Sequence, residues 1–245
     1  RRTIKPSADP RGWGLRIQPD ATPRPGEAHF GASKMPQHHP DESLLIEYAN
    51  GSVNEAKALL VATHLALCPA CRRAVAAAEA AGAALAFEDA AAQVGPMPDV
   101  AAVAVEVRAA AVEPIAQVPE PLRGYLGRPV PKLGWVPVMA GMKEFALPEF
   151  TGRSRVRLLA IEPGRRMPRH THEGLELTLV LQGSFRDASG AYAKGDVATA
   201  DAAIDHQPQA GAGELCLCLA VEDAPLKLTG FKGVLINAAG SVRKL

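Results

Sequence analysis

Apolar positions between Asp41 and Val112 recur every three or four residues, the spacing of helices that bury one side. The first predicted helix runs through Leu44, Leu45 and Tyr48, with Asp41 as its cap and Asn50-Gly51 as its stop. Ser52-Val53-Asn54-Glu55 reads as a capping box opening a second helix, which carries Leu59, Leu60, Thr63, His64 and Leu67 along one side. Pro69 suits the first turn of a third helix through Arg72, Val75 and Ala78 towards Phe87. Gly95 to Pro98 then breaks the chain, and a fourth helix is expected from about Asp99 to Val112. Alanine dominates this half, so its burial contributes little.

Beyond it the pattern changes. Pro114, Pro119, Pro121, Pro129 and Pro131 predict an extended linker over 114–131. From there the apolar period is two: residues 155–160, 175–181 and 214–219 read as strands, with Gly183, Gly190, Gly195 and Gly211 at hairpin spacing. Many short strands with glycine turns imply a small sandwich or barrel. The expected fold is therefore α + β and multidomain: a small four-helix unit over 38–113, the linker, a β unit over 132–232 and a tail over 233–245. Residues 1–37, rich in Pro, Gly and Arg and without periodicity, are expected to be disordered or the product of an upstream start, with Met35 as a natural start.

Composition narrows the function classes. A net charge of +1 over 245 residues gives no basic stripe for direct nucleic-acid binding. No uncharged apolar run reaches the roughly 18 residues of a membrane span. The four cysteines form two close pairs, Cys68/Cys71 and Cys216/Cys218, which favours metal chemistry in a reducing compartment, and so a cytoplasmic protein, over a disulfide framework.

His64, Cys68 and Cys71 are spaced four and three apart at a helix junction, which brings them to one side of it. Two thiolates and an imidazole suit zinc, which takes about four N or S ligands in a structural site. The fourth donor is His39 or His38, just ahead of the first helix, and His39 is taken here. A redox CxxC would instead follow a strand in a βαβ unit, and these surroundings are helical. A metal also answers the weak alanine core, because ion binding doubles as folding energy.

A second set lies in the β half. His170, His172 and Glu176 have the same parity along the chain, and His206 follows where a barrel returns past the same interior. Three imidazoles and a carboxylate suit zinc, iron, manganese or nickel. Of the seven histidines only His29 and His38 fall outside the two sets, which argues against scatter. Cys216 and Cys218 share one strand face and read as core packing before any redox role.

These residues resemble the ChrR-type anti-sigma factors, which join a zinc-binding helical domain to a cupin barrel. The match lies in HxxxCxxC at His64, Cys68 and Cys71, and in G-x5-H-x-H-x3-E-x6-G from Gly164 to Gly183. It covers about His38 to Phe231. The second cupin motif departs from the pattern: Asp201-Ala202-Ala203 and Ala210 stand at its usual Pro-x-Gly and Asn, while His206 remains. The resemblance implies a non-enzymatic cytoplasmic regulator that sequesters an extracytoplasmic-function sigma factor through its zinc-stabilised helices. It also implies a metal-binding cupin that responds to oxidative stress such as singlet oxygen. The alternative is a cupin dioxygenase with an accessory helical part, though no general base stands outside the ligand set.

Overall fold

The structure, a computed structural model, describes residues 35–88, 118–152 and 154–229. The expected terminal tails and the helix expected over 99–112 fall outside these residues, apart from the last three positions of the N-terminal tail, 35–37. Among the described residues four α-helices precede the sheets: α1 (Glu42–Ala49), α2 (Glu55–Leu67), α3 (Pro69–Glu88) and α4 (Glu120–Leu126). Asp41 caps α1 by accepting from the Ser43 amide. The cap of α2 is Asn54, whose side chain accepts from the Lys57 amide. Ser52 was expected in that role, but its hydroxyl donates back to the Glu47 carbonyl.

In its described part, 118–131, the proline-marked stretch is not the extended linker its composition suggested. The four described prolines instead sit at helix starts, where a missing N–H costs nothing: Pro119 is the N-cap of α4 and Pro121 lies in its first turn, while Pro129 and Pro131 do the same for a 3-10 helix over Val130–Lys132. Leu122, Leu126 and Val130 are buried, and α4 packs on α2.

Among the described residues eleven strands follow: β1 (Val136–Met139), β2 (Met142–Ala146), β3 (Arg155–Ile161), β4 (His170–His172), β5 (Glu176–Gln182), β6 (Ser184–Arg186), β7 (Ala191–Ala193), β8 (Val197–Ala200), β9 (Gln209–Ala210), β10 (Cys216–Glu222) and β11 (Leu226–Leu228). The main sheet has the order β1-β2-β3-β10-β5-β8, flanked by pairs β11-β4 and triplet β7-β6-β9. Every registered pair is antiparallel. This is the cupin-like arrangement expected of the second half.

Strand β10 explains how the halves meet. All seven of its residues are buried, so it has no wet face. Leu217, Leu219 and Val221 join one core with Leu59, Leu60 and Val61 of α2, whereas Cys216, Cys218 and Ala220 join a second core with Leu159, Phe185 and Tyr192. Alternation along the strand thus divides a helix-facing core from a barrel interior. Among the described residues, no helix is long and apolar enough to cross a membrane.

Two candidate metal centres

The first centre forms where three segments converge. His64 lies in the last turn of α2, Cys68 is that helix's C-cap, and Cys71 sits in the first turn of α3. His39 arrives from the segment before α1, just after a bend at Gln37 and His38. The ligand atoms of His39, His64, Cys68 and Cys71 all lie within 4.8 Å of one another. His39 Nδ1 is 3.5 Å from Cys68 Sγ and 3.4 Å from Cys71 Sγ. Tetrahedral zinc with ordinary Zn–N and Zn–S bonds sets such N···S separations at about 3.5 Å. His38 is not in the group; its ring stands 4.6 Å from that of Tyr192.

The donor states fit a cation. His64 Nδ1 is 2.8 Å from the Gly195 carbonyl, which can only accept, so that nitrogen carries the hydrogen. Its Nε2 then presents a lone pair, and it is buried without a hydrogen-bond partner. Burial pulls this imidazole down to about 4, so the ring is neutral at pH 7. Burial, with Cys68 beside it, pushes the Cys71 thiol up to about 12. Such a thiol ionises only with a positive charge in contact, which a coordinated metal supplies.

The second centre lies inside the barrel. His170 and His172 project from β4 to one side, and a bridge between His170 and His206 brings the third imidazole opposite. His206 Nε2 is 3.1 Å from both His170 Nε2 and His172 Nε2. His170 Nδ1 donates to the Pro168 carbonyl at 2.8 Å, and His206 Nδ1 donates to Asp187 Oδ2 at 2.7 Å. Both rings therefore aim lone pairs at each other, a repulsive arrangement unless a cation lies between them. Zinc-bound imidazoles place their nitrogens about 3.3 Å apart, close to what is found. Burial draws His170 and His172 each down to about 4, leaving both rings neutral.

Glu176, at the start of β5, stands beside this trio and not within it. Its Oε2 is 3.3 Å from His172 Nδ1, an ion-pair distance that is off the hydrogen-bond direction. Its Oε1 accepts from Thr178 Oγ1 at 2.8 Å. Behind it a buried Arg157 pairs with Glu144 at 2.6 Å and with Glu222. Burial pushes Glu222 up to about 7, with Arg157 pulling the other way and Glu176 adding to the rise. Cys216 and Cys218 are buried with sulfurs 3.5 Å apart. Cys218 lines a cavity of about 40 Å³ that also touches His170, Glu176 and His206.

Three supporting residues escaped the sequence reading. Asp187 fixes His206, the Gly195 carbonyl fixes His64, and Asp196 holds the segment that delivers His39. In the sequence Gly195-Asp196 is only a turn signal, and nothing local joins Asp187 to a histidine nineteen residues on.

A family model described as ChrR Cupin-like domain matches residues 129–225. Anti-sigma-E factor ChrR of Cereibacter sphaeroides is 40% identical over 206 residues, which cover 82% of this chain and 96% of that protein. The chain belongs to the ChrR family. The crystal structure of Rhodobacter sphaeroides SigE in complex with the anti-sigma ChrR matches with a TM-score of 0.61 and 37% identity, covering 76% of this chain and 98% of the matched chain. Membership in the ChrR family thus extends over both the helices and the cupin.

Proposed function

We propose that this protein is an anti-sigma factor that sequesters an extracytoplasmic-function sigma factor in the cytoplasm. The observation that carries the reading is the likeness, over nearly the full length of each relative, to an anti-sigma-E factor and to a ChrR chain crystallised with its sigma factor. The helices are the gripping element. α2 is committed to the sheet, while the outer faces of α1 and α3 leave Ile46 49% and Leu85 75% exposed, apolar surface of the kind that partner docking covers.

The first centre holds structural zinc through His39, His64, Cys68 and Cys71, since soft thiolates with imidazoles select that ion. The barrel centre holds zinc or another divalent transition metal through His170, His172 and His206. Glu176 either completes that set or orients His172, and both uses of a carboxylate are common around such ions. The cupin responds to oxidative stress such as singlet oxygen, a reading that rests on the family resemblance. An enzymatic role fits less well: a cavity of about 40 Å³ admits a few waters, whereas small-molecule sites run to about 300–1,000 Å³.

Co-expression of the full chain with the extracytoplasmic-function sigma factor encoded beside it tests the proposal. The expected result is a 1:1 complex that blocks transcription from that factor's promoter. Failure to bind that factor, with both proteins folded and metal-loaded, refutes it.

A further inference from the structure

The first metal centre lies among the helices, yet two of its four donors are held by the cupin. The turn between β7 and β8, residues 194–196, reaches it twice. The Gly195 carbonyl accepts from His64 Nδ1 at 2.8 Å. Asp196, only 3% exposed, spends one oxygen on the chain that carries His39: Oδ1 accepts the Gln37 amide at 2.6 Å and the His38 amide at 3.0 Å. Its other oxygen accepts the Ala193 amide at 2.8 Å and closes the turn itself. The Val197 amide donates to the His38 carbonyl at 3.0 Å, so the segment before His39 is tied to the barrel on both sides of the peptide. Gly195 is needed for this approach: its φ is +94°, and a Cβ there would lie 2.7 Å from Pro36 Cγ.

We propose that Asp196 is a positioning residue for the helical metal centre, clasping residues 37 and 38 so that His39 meets His64, Cys68 and Cys71 across the domain boundary. The centre is then a joint between the two halves: metal retention strengthens cupin docking, and cupin docking strengthens metal retention, by the reciprocity of linked equilibria. The support that Asp187 gives His206 stays within one domain, the cupin. Here the support comes from a different one, about 160 positions along the chain, so a change in the cupin has a direct route to the helical site. The inference rests on the metal-binding reading of that site.

Cobalt in place of zinc gives the readout. A thiolate-to-cobalt charge-transfer band reports only the centre with Cys68 and Cys71, because the barrel cluster offers imidazoles. The full chain is loaded with Co²⁺, and loss of that band is followed after adding chelator. Asp196→Ala is expected to release this cobalt about 10- to 100-fold faster, the usual effect of losing a supporting partner, while barrel cobalt is retained as in wild type. Asp196→Asn keeps an oxygen for the Gln37 and His38 amides and loses only the acceptor for Ala193, so it should recover most of the retention. Release from Asp196→Ala at the wild-type rate overturns the proposal. So does an Asn variant that fails as badly as Ala, because the turn and not the clasp then matters. A wild-type chain that gives no charge-transfer band refutes the metal reading itself, which is a separate failure. Amide exchange in the wild-type chain gives an answer that needs no variant. Removing the metal should speed exchange at Gln37, His38 and Val197, and unchanged protection there overturns the clasp.

Discussion

Leu60 on α2 has no exposed surface and shares a core with Leu179 of β5 and Leu219 of β10, both also fully buried. If helices and barrel unfold as one body, Leu60→Ala must weaken both. Truncating a buried leucine costs about 3–5 kcal/mol from lost transfer energy and the remaining cavity. For a chain of this size each kilocalorie lowers Tm by about 2–4 °C, so a fall of roughly 6–20 °C is expected. The assay is thermal unfolding of the metal-saturated protein in a Trp13→Phe background, read by helical circular dichroism and by fluorescence of Trp135. Trp135 reports the β half, since its ring lies 6.5 Å from that of Phe145. The two signals should shift together. Helicity melting early while Trp135 holds its wild-type midpoint would refute the shared core, as would a loss below about 1 kcal/mol, the typical effect of a mutation in general.

Arg157→Met removes the buried cation between Glu144 and Glu222, leaving Glu144 only the half-exposed Arg155 at 3.8 Å, and should cost about 3–5 kcal/mol in urea unfolding; replacing all three residues by apolar or amide groups should restore most of it. Asp187→Asn removes the carboxylate behind His206 and should weaken metal binding in the barrel about 10- to 100-fold in chelator competition, with the thiolate centre unchanged. Cys71→Ala should abolish metal binding at the helical centre and with it sigma-factor binding, while the barrel's circular dichroism persists. Leu85→Asp, on an exposed position, should leave stability within about 0.5 kcal/mol of wild type yet weaken the sigma-factor complex measured by calorimetry.

Much of this was legible in the chain because the signals are local. His64, Cys68 and Cys71 lie within eight residues, and helix geometry alone brings them together. Asp41 caps α1 as its side-chain chemistry predicts. Where two local signals compete, the reading slipped. Ser52 and Asn54 both suit a cap, and the helix begins after Asn54 because its amide oxygen reaches the Lys57 amide. The prolines of 119–131 suggest an extended linker, although a proline in the first turn of a helix is tolerated and Leu122 and Leu126 have a core to join. Nothing local separates His39 from His38 as the fourth donor, whereas in the structure the His38 amide is held by Asp196, some 158 residues away. Sequence periodicity carries no such long-range term. Glu176 has the right parity for the barrel centre, but parity does not fix which side of His172 its carboxylate takes.

The double-sided burial of β10 bears on how this architecture can be recombined. A strand with cysteine and alanine on one face and leucine and valine on the other is a party wall, and neither neighbour can be rebuilt without it. A chimera that grafts these helices onto a foreign cupin would set Leu59, Leu60 and Val61 against an unmatched surface. It would also strand Lys57, whose ammonium lies 2.8 Å from Asp223 just past the end of β10. Viable exchange therefore carries α2 and the outward residues of β3, β5 and β10 as one inherited block, so the interior of the barrel can diversify while its outer wall stays bound to the helices.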